Sequence, residues 1–163
     1  MPAADPPPTS KPAPAAANAN SSANEIFLPD EIAEIIDVST FDQIREMDDE
    51  GSDEFSRAIV EGFREQAKET FDKMDQSLGK KDLEQLASLG HFLKGSSATL
   101  GLVKVKDYCE KIQHYGGNKD ETGTVDIPDD GKCLDAIRNA LQDMKKEYKK
   151  AEKYLLQLYP EEQ

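Results

Sequence analysis

The clearest pattern in the chain lies near its end. Leu134, Ile137, Leu141, Met144, Tyr148, Ala151, Leu155 and Leu158 follow one another in steps of three and four, the period of one helical face. Three earlier segments share this signature. Phe55, Ile59, Phe63, Ala67, Thr70, Met74 and Leu78 mark a long helix from about Asp53 to Leu78. Gly79 reads as its C-terminal cap, with Lys80 and Lys81 complementing the helix end. Asp82 and Gln85 open a further helix that runs to about Thr99, with Leu86, Leu89, Leu93, Ser97 and Leu100 along one side. Beyond a Leu100-Gly101-Leu102 corner, Leu102, Val105, Cys109 and Ile112 recur at helical spacing until Gly116-Gly117 stops them. Residues 118–130 are polar and read as a surface loop.

Two short helices precede these four. Leu28-Pro29-Asp30-Glu31 places proline and acids as at a helix start, and this helix ends near Ile36. Thr40 with Gln43 forms a capping-box pattern that opens the second, through Met47, before acidic residues and Gly51 end it. Residues 1–24 carry Pro6-Pro7-Pro8, Pro12 and Pro14 among alanine, asparagine and serine; they read as a disordered tail, and residues 25–163 as the folded domain. The period of the last helix is compatible with a coiled coil. Four apolar stripes in one chain, however, cover one another in an antiparallel up-down four-helix bundle. The expected class is therefore all-α, and the expected state a monomer.

Composition narrows the functions. A length of 163 residues suits one domain. A net charge of −13 and a pI near 4.6 weigh against nucleic acid and anionic membrane surfaces as partners. No apolar run approaches the ~20 residues of a membrane-spanning helix, and no secretory signal pattern is visible. Cys109 and Cys133 match neither a disulfide framework nor a common zinc spacing, and read as reduced thiols of an intracellular protein.

Candidate chemistry concentrates in Leu89-Gly90-His91-Phe92-Leu93-Lys94-Gly95-Ser96-Ser97-Ala98-Thr99-Leu100-Gly101. Lys94 and Gly95 both sit one helical turn from His91, on a different side from the leucine stripe. Neutral imidazole is a usable nucleophile near neutral pH. A phosphoryl group on it would need a counter-charge, which Lys94 can supply. Glycine inside a helix costs roughly 0.8–1.0 kcal/mol relative to alanine, and steric clearance for a phosphoryl group or another protein's active site is a reason to bear that cost. No base, metal site or phosphate-cradling loop is evident nearby, so His91 would be a passive acceptor. Taken singly, each residue has a plain alternative: a surface histidine, a solvated lysine, a glycine packed between helices.

His91-Phe92-Leu93-Lys94-Gly95-Ser96-Ser97-Ala98 with Leu100-Gly101 resembles the signature of histidine-containing phosphotransfer (HPt) proteins. Cys109-Glu110-Lys111-Ile112-Gln113 and Met47-Asp48-Asp49 are similar to the fungal phosphorelay intermediates in particular. The resemblance implies a phosphocarrier rather than an enzyme, taking a phosphoryl group from an aspartate of one receiver domain onto His91 and passing it to a second. It implies receiver domains of a hybrid histidine kinase and of response regulators as partners, and magnesium on the receivers with no cofactor here. It further implies osmotic or oxidative stress signalling in cytoplasm and nucleus.

Gln113 lies twelve residues after Gly101 and His91 ten before it, so an antiparallel hairpin can bring them together. The resemblance gives that glutamine the role of holding the imidazole. The chain departs from its fungal relatives in carrying Gly116-Gly117 where they have a basic residue; Lys111 or Lys119 compensates, or Lys94 acts alone. A docking face would combine exposed apolar residues with a polar rim. Phe92, Ile44 and Met47 fit the apolar part, with Ser96 beside the histidine and Asp48 in the rim, although core packing is the alternative for Ile44 and Met47. His114 reads as a surface residue without a role. Two rival functions are a helical adaptor that binds through the last helix, and a histidine kinase fragment, for which no glycine-rich nucleotide segment is present.

Overall fold

The computed structural model describes residues 29–159, with side chains from residue 31 onward. The expected tail at 1–24 lies outside the described residues. Within them the chain forms α1 (Pro29–Ile35), α2 (Val38–Arg45), α3 (Glu54–Gly79), α4 (Leu83–Leu100), α5 (Val103–Gly116) and α6 (Asp130–Gln157). The last four pack in sequence, α3 on α4, α4 on α5 and α5 on α6, and α6 returns to α3 to close a four-helix bundle. The short α1 lies against α5 and α6, and α2 against α3 and α4.

The apolar stripes account for this closure. Met74 of α3, Leu93 of α4, Ile112 of α5 and Met144 of α6 are each 0% exposed. Burying a side chain of that size stabilises by about 1.5–3 kcal/mol, and no single helix can supply the cover. Phe63 and Phe71 of α3 meet the Tyr148 ring of α6 at centroid distances of 6.1 and 5.4 Å. Burial, reinforced by Glu152, pushes the Tyr148 phenol well above its ordinary range. Arg64 ties the same helices, with Nε donating to Glu152 at 2.9 Å and Nη1 to Glu61 at 2.8 Å.

Asp82 caps α4, its carboxylate accepting from the Gln85 amide at 3.0 Å. The corner after α4 requires glycine: Gly101 has φ +80°, and a Cβ there would lie 2.8 Å from the Asp37 carbonyl oxygen. Gly101 in turn accepts the Asp37 amide at 2.7 Å, which seats α2 on the end of α4.

Three local expectations are corrected. Asp37, not Thr40, caps α2, accepting from the Thr40 amide at 3.4 Å and its hydroxyl at 3.0 Å. At the end of α3 the left-handed position falls on Lys81 (φ 58°), and Gly79 stays helical. In the first turns of α3 the buried residues are Ser56 and Val60, so Phe55 is left 45% exposed and Ile59 half-buried.

Candidate functional site

The two sides of α4 divide as its spacing predicts. Leu86, Leu89, Leu93, Ser97 and Leu100 are buried, while His91, Phe92 and Gly95 are exposed and Lys94 and Ser96 half-buried. A Cβ on Gly95 would meet nothing within 4 Å, so no neighbouring helix requires its missing side chain. Gly90 is the opposite case, and sequence reasoning passed over it. A Cβ there would stand 2.9 Å from the Cys109 carbonyl oxygen and 3.2 Å from the Gln113 backbone nitrogen. Its bare backbone lets α5 approach, and that approach carries Gln113 to the histidine.

The Gln113 amide nitrogen stands 3.4 Å from His91 Nδ1, and its Oε1 is buried without a hydrogen-bond partner. Amide oxygen and nitrogen have nearly the same shape, so the contact has two forms. Donation from the amide to Nδ1 places the ring proton on Nε2. With the amide turned over, its oxygen accepts from Nδ1–H, and Nε2 on the far side of the ring keeps its lone pair. Only the second form makes Nε2 a nucleophile.

The sulfur nearest this seam is no competitor. Burial pushes the Cys109 thiol up to about 12, against a small opposing pull from the Lys94 charge. It rests against Met144 Sδ at 3.5 Å as a protonated thiol. Lys94 itself makes no ion pair among the described residues. The other two candidate cations are engaged elsewhere. Lys119 pairs with Asp126 at 2.5 Å; Lys111 lies 3.9 Å from Glu121 and over the Tyr108 ring. Of the three, Lys94 alone sits one helical turn from His91 with no ion-pair partner among the described residues.

His114 is not the idle surface residue expected. Its Nδ1–H donates to the Glu121 carbonyl at 2.8 Å, and a Cβ on Gly123 would lie 2.9 Å from its Nε2. It anchors the loop between α5 and α6. The loop's contacts are formed by residues well beyond His114, and nothing beside His114 in sequence announces them.

Among the apolar docking candidates, Phe92 is 51% and Met47 67% exposed, whereas Ile44 is half-buried against the core. Phe55 joins the exposed set. It begins a stripe with Ile59, Gly62 and Gln66 on the side of α3 next to α4. Gly62, Gln66, Thr70, Ser88 and Phe92 line a groove of about 450 Å³ between these helices. A Cβ on Gly62 would also meet nothing within 4 Å. Asp48 is not a free rim carboxylate. It accepts the Ser56 amide at 2.8 Å and the Ser56 hydroxyl at 2.5 Å, and these bonds favour its charged form and lower its pKa below the ordinary carboxylate value. Among the described residues no group of three or more His, Cys, Asp or Glu could hold a metal ion.

An exposed imidazole steadied by one amide, one unpaired ammonium and a stretch of bare backbone form the arrangement on α4, and the family model for the Hpt domain matches residues 58–147 around it. The chain belongs to the Hpt family. It is 46% identical over 126 residues to multistep phosphorelay regulator 1 of Schizosaccharomyces pombe, covering 77% of this chain and 43% of that protein. It is 49% identical over 82 residues to the phosphorelay intermediate protein YPD1 of Candida albicans, covering 50% of this chain and 44% of that one. The Hpt chain thus spans less than half the length of these two curated relatives. In structure it is similar to Saccharomyces cerevisiae Ypd1 as crystallised with the receiver domain of the response regulator Ssk1. The TM-score is 0.66 at 36% identity, over 77% of this chain and 94% of that one.

Proposed function

We propose that this Hpt protein is a phosphocarrier between receiver domains, with His91 as the phosphoacceptor. The observation that carries the reading is the outward, amide-steadied His91 ring beside a Gly95 that no neighbour needs. In the step, the Nε2 lone pair attacks the phosphorus of a receiver aspartyl phosphate. The N–P bond forms as the P–O bond to the aspartate breaks and the carboxylate leaves; the return step onto a second receiver is the reverse. Gln113 holds Nδ1–H throughout, and Lys94 offsets the charge on the phosphoryl oxygens. Such a transfer depends on positioning and charge stabilisation more than on covalent chemistry by the protein. Magnesium and the reacting aspartates belong to the receivers, one on a hybrid kinase and others on response regulators. The Met47, Phe55 and Phe92 side chains with the α3–α4 groove form the docking face. The adaptor alternative loses its basis, because the apolar stripe of α6 is spent inside the bundle from Cys133 to Leu155.

The test uses the Ssk1 receiver domain as probe. It is phosphorylated by a small phosphodonor and mixed with the full chain. Acid-labile, alkali-stable label is expected on this chain and is lost in His91→Gln. Label that survives the substitution, or that forms from ATP alone, contradicts the reading.

A further inference from the structure

The exposed apolar residues Met47 and Phe55 each have an immediate neighbour that points the other way. Asp48 and Ser56 turn inward and bind one another at both carboxylate oxygens. Asp48 thereby does what the N-cap of α3 does not, since Asp53 makes no side-chain capping bond and pairs with Arg57 instead. A third member completes the tie from the far end of the fold. The Tyr159 hydroxyl donates to Ser56 Oγ at 2.7 Å, so a chain of bonds runs from Tyr159 through Ser56 to Asp48 Oδ2. Tyr159 is 4% and Ser56 0% exposed, and the Arg57 guanidinium lies 5.4 Å from the Tyr159 ring centre.

The segment 46–53 between α2 and α3 has few other restraints. Its backbone bonds are short turns within itself or to the end of α2, apart from the start of α3. The Tyr159–Ser56–Asp48 chain is thus a long-range tie on this segment, and it acts next to both apolar docking residues. We infer that Tyr159 is a positioning residue for receiver docking, holding Met47 and Phe55 at a fixed separation through Ser56 and Asp48. This inference rests on the docking face proposed above. A loop that must be ordered on each encounter costs affinity that a pre-ordered loop does not.

Tyr159→Phe tests it in the full chain, because the ring keeps its burial and its place over Arg57 while only the hydroxyl goes. The loss of this buried hydrogen bond, felt as loop order that docking must restore, weakens Ssk1 receiver binding by up to about tenfold. The Ser56 amide should exchange its hydrogen faster, while labelling of His91 by the small donor phosphoramidate stays at the wild-type rate. Ser56→Ala should weaken binding similarly, and the double variant should add little, since both cut one chain of bonds. Unchanged receiver affinity in Tyr159→Phe overturns the inference, as does a parallel fall in phosphoramidate labelling, which would mark a general loss of structure. If the wild-type chain takes no label from the receiver, the docking reading fails instead, and that outcome is seen before any variant is made.

Discussion

On its inner side α4 sets Gly90 so close to α5 that a methyl group would lie 2.9 Å from the Cys109 carbonyl oxygen, whereas five residues later, on its outer side, Gly95 faces open space. Each side has a second example. Gly116 of α5 is pressed against Ala87 and Leu83 of α4, and Gly62 of α3 has nothing near it. All four bear the helix penalty of glycine. For the inner pair the close contact of α4 and α5 offsets it. For the outer pair nothing among the described residues does, which fits the receiver surface proposed to dock there. The lesson is that the space around an absent Cβ separates a helical glycine that packs a seam from one that leaves a surface bare.

The inner contact is tightest at Gly116. In Gly116→Ala the methyl group would meet Ala87 N, Ala87 Cβ and Leu83 O, all at 2.8 Å. Two of these atoms are backbone and cannot turn aside. Overpacking of this kind costs about 1–3 kcal/mol, seen as a lower denaturant midpoint with unchanged slope. Gly90→Ala should cost less and do more to function, because it pushes α5 away at Gln113 itself. An unaltered midpoint in Gly116→Ala would remove the distinction between the two kinds of glycine.

The outer side predicts the reverse. Gly95→Leu should fold normally and weaken Ssk1 receiver binding at least tenfold, about 1.4 kcal/mol, with phosphoramidate labelling of His91 retained. Titration of the variant against the receiver checks this, and wild-type affinity would show that the bare backbone serves no visitor. Gly95→Ala has the smaller effect and the opposite sign on stability. A methyl group in open space should raise stability by roughly 0.8–1.0 kcal/mol, measured by denaturant titration, whereas a neutral or negative change would reveal a contact on that side.

The same division explains what could be read from the amino acids alone. The stripes of α4, α5 and α6 were legible because each is a sustained period, and Asp82 because its cap acts three residues away. Counting residues on either side of Gly101 puts Gln113 within reach of His91, and the family resemblance supplies its role. The register of early α3 did not follow. Phe55 and Ile59 outrank Ser56 and Val60 in size, but Ser56 is inside because Tyr159 reaches it from 103 positions along the chain. The cap of α2 was misread because Asp37 and Thr40 are both capping residues and bond to one another. Gly90 was overlooked because a glycine beside His91 cannot be told from one that faces solvent until α5 is in place.

The two histidines give the smallest effect and the most selective check. His91 has one ring nitrogen near an amide and an exposed ring; His114 has its Nδ1–H bonded to Glu121 and its Nε2 covered by Gly123. One is arranged to react and the other to hold a loop. His114→Ala should therefore cost only about 0.5 kcal/mol, the low end for a partly solvated hydrogen bond, with faster hydrogen exchange confined to residues 117–129. Phosphoryl transfer to His91 should keep its wild-type rate, since the loop contributes neither Lys94 nor Gln113 to the ring. A fall in that rate would mean that the α5–α6 loop reaches the acceptor site after all, and that the outer surface of α4 is not the whole of the transfer surface.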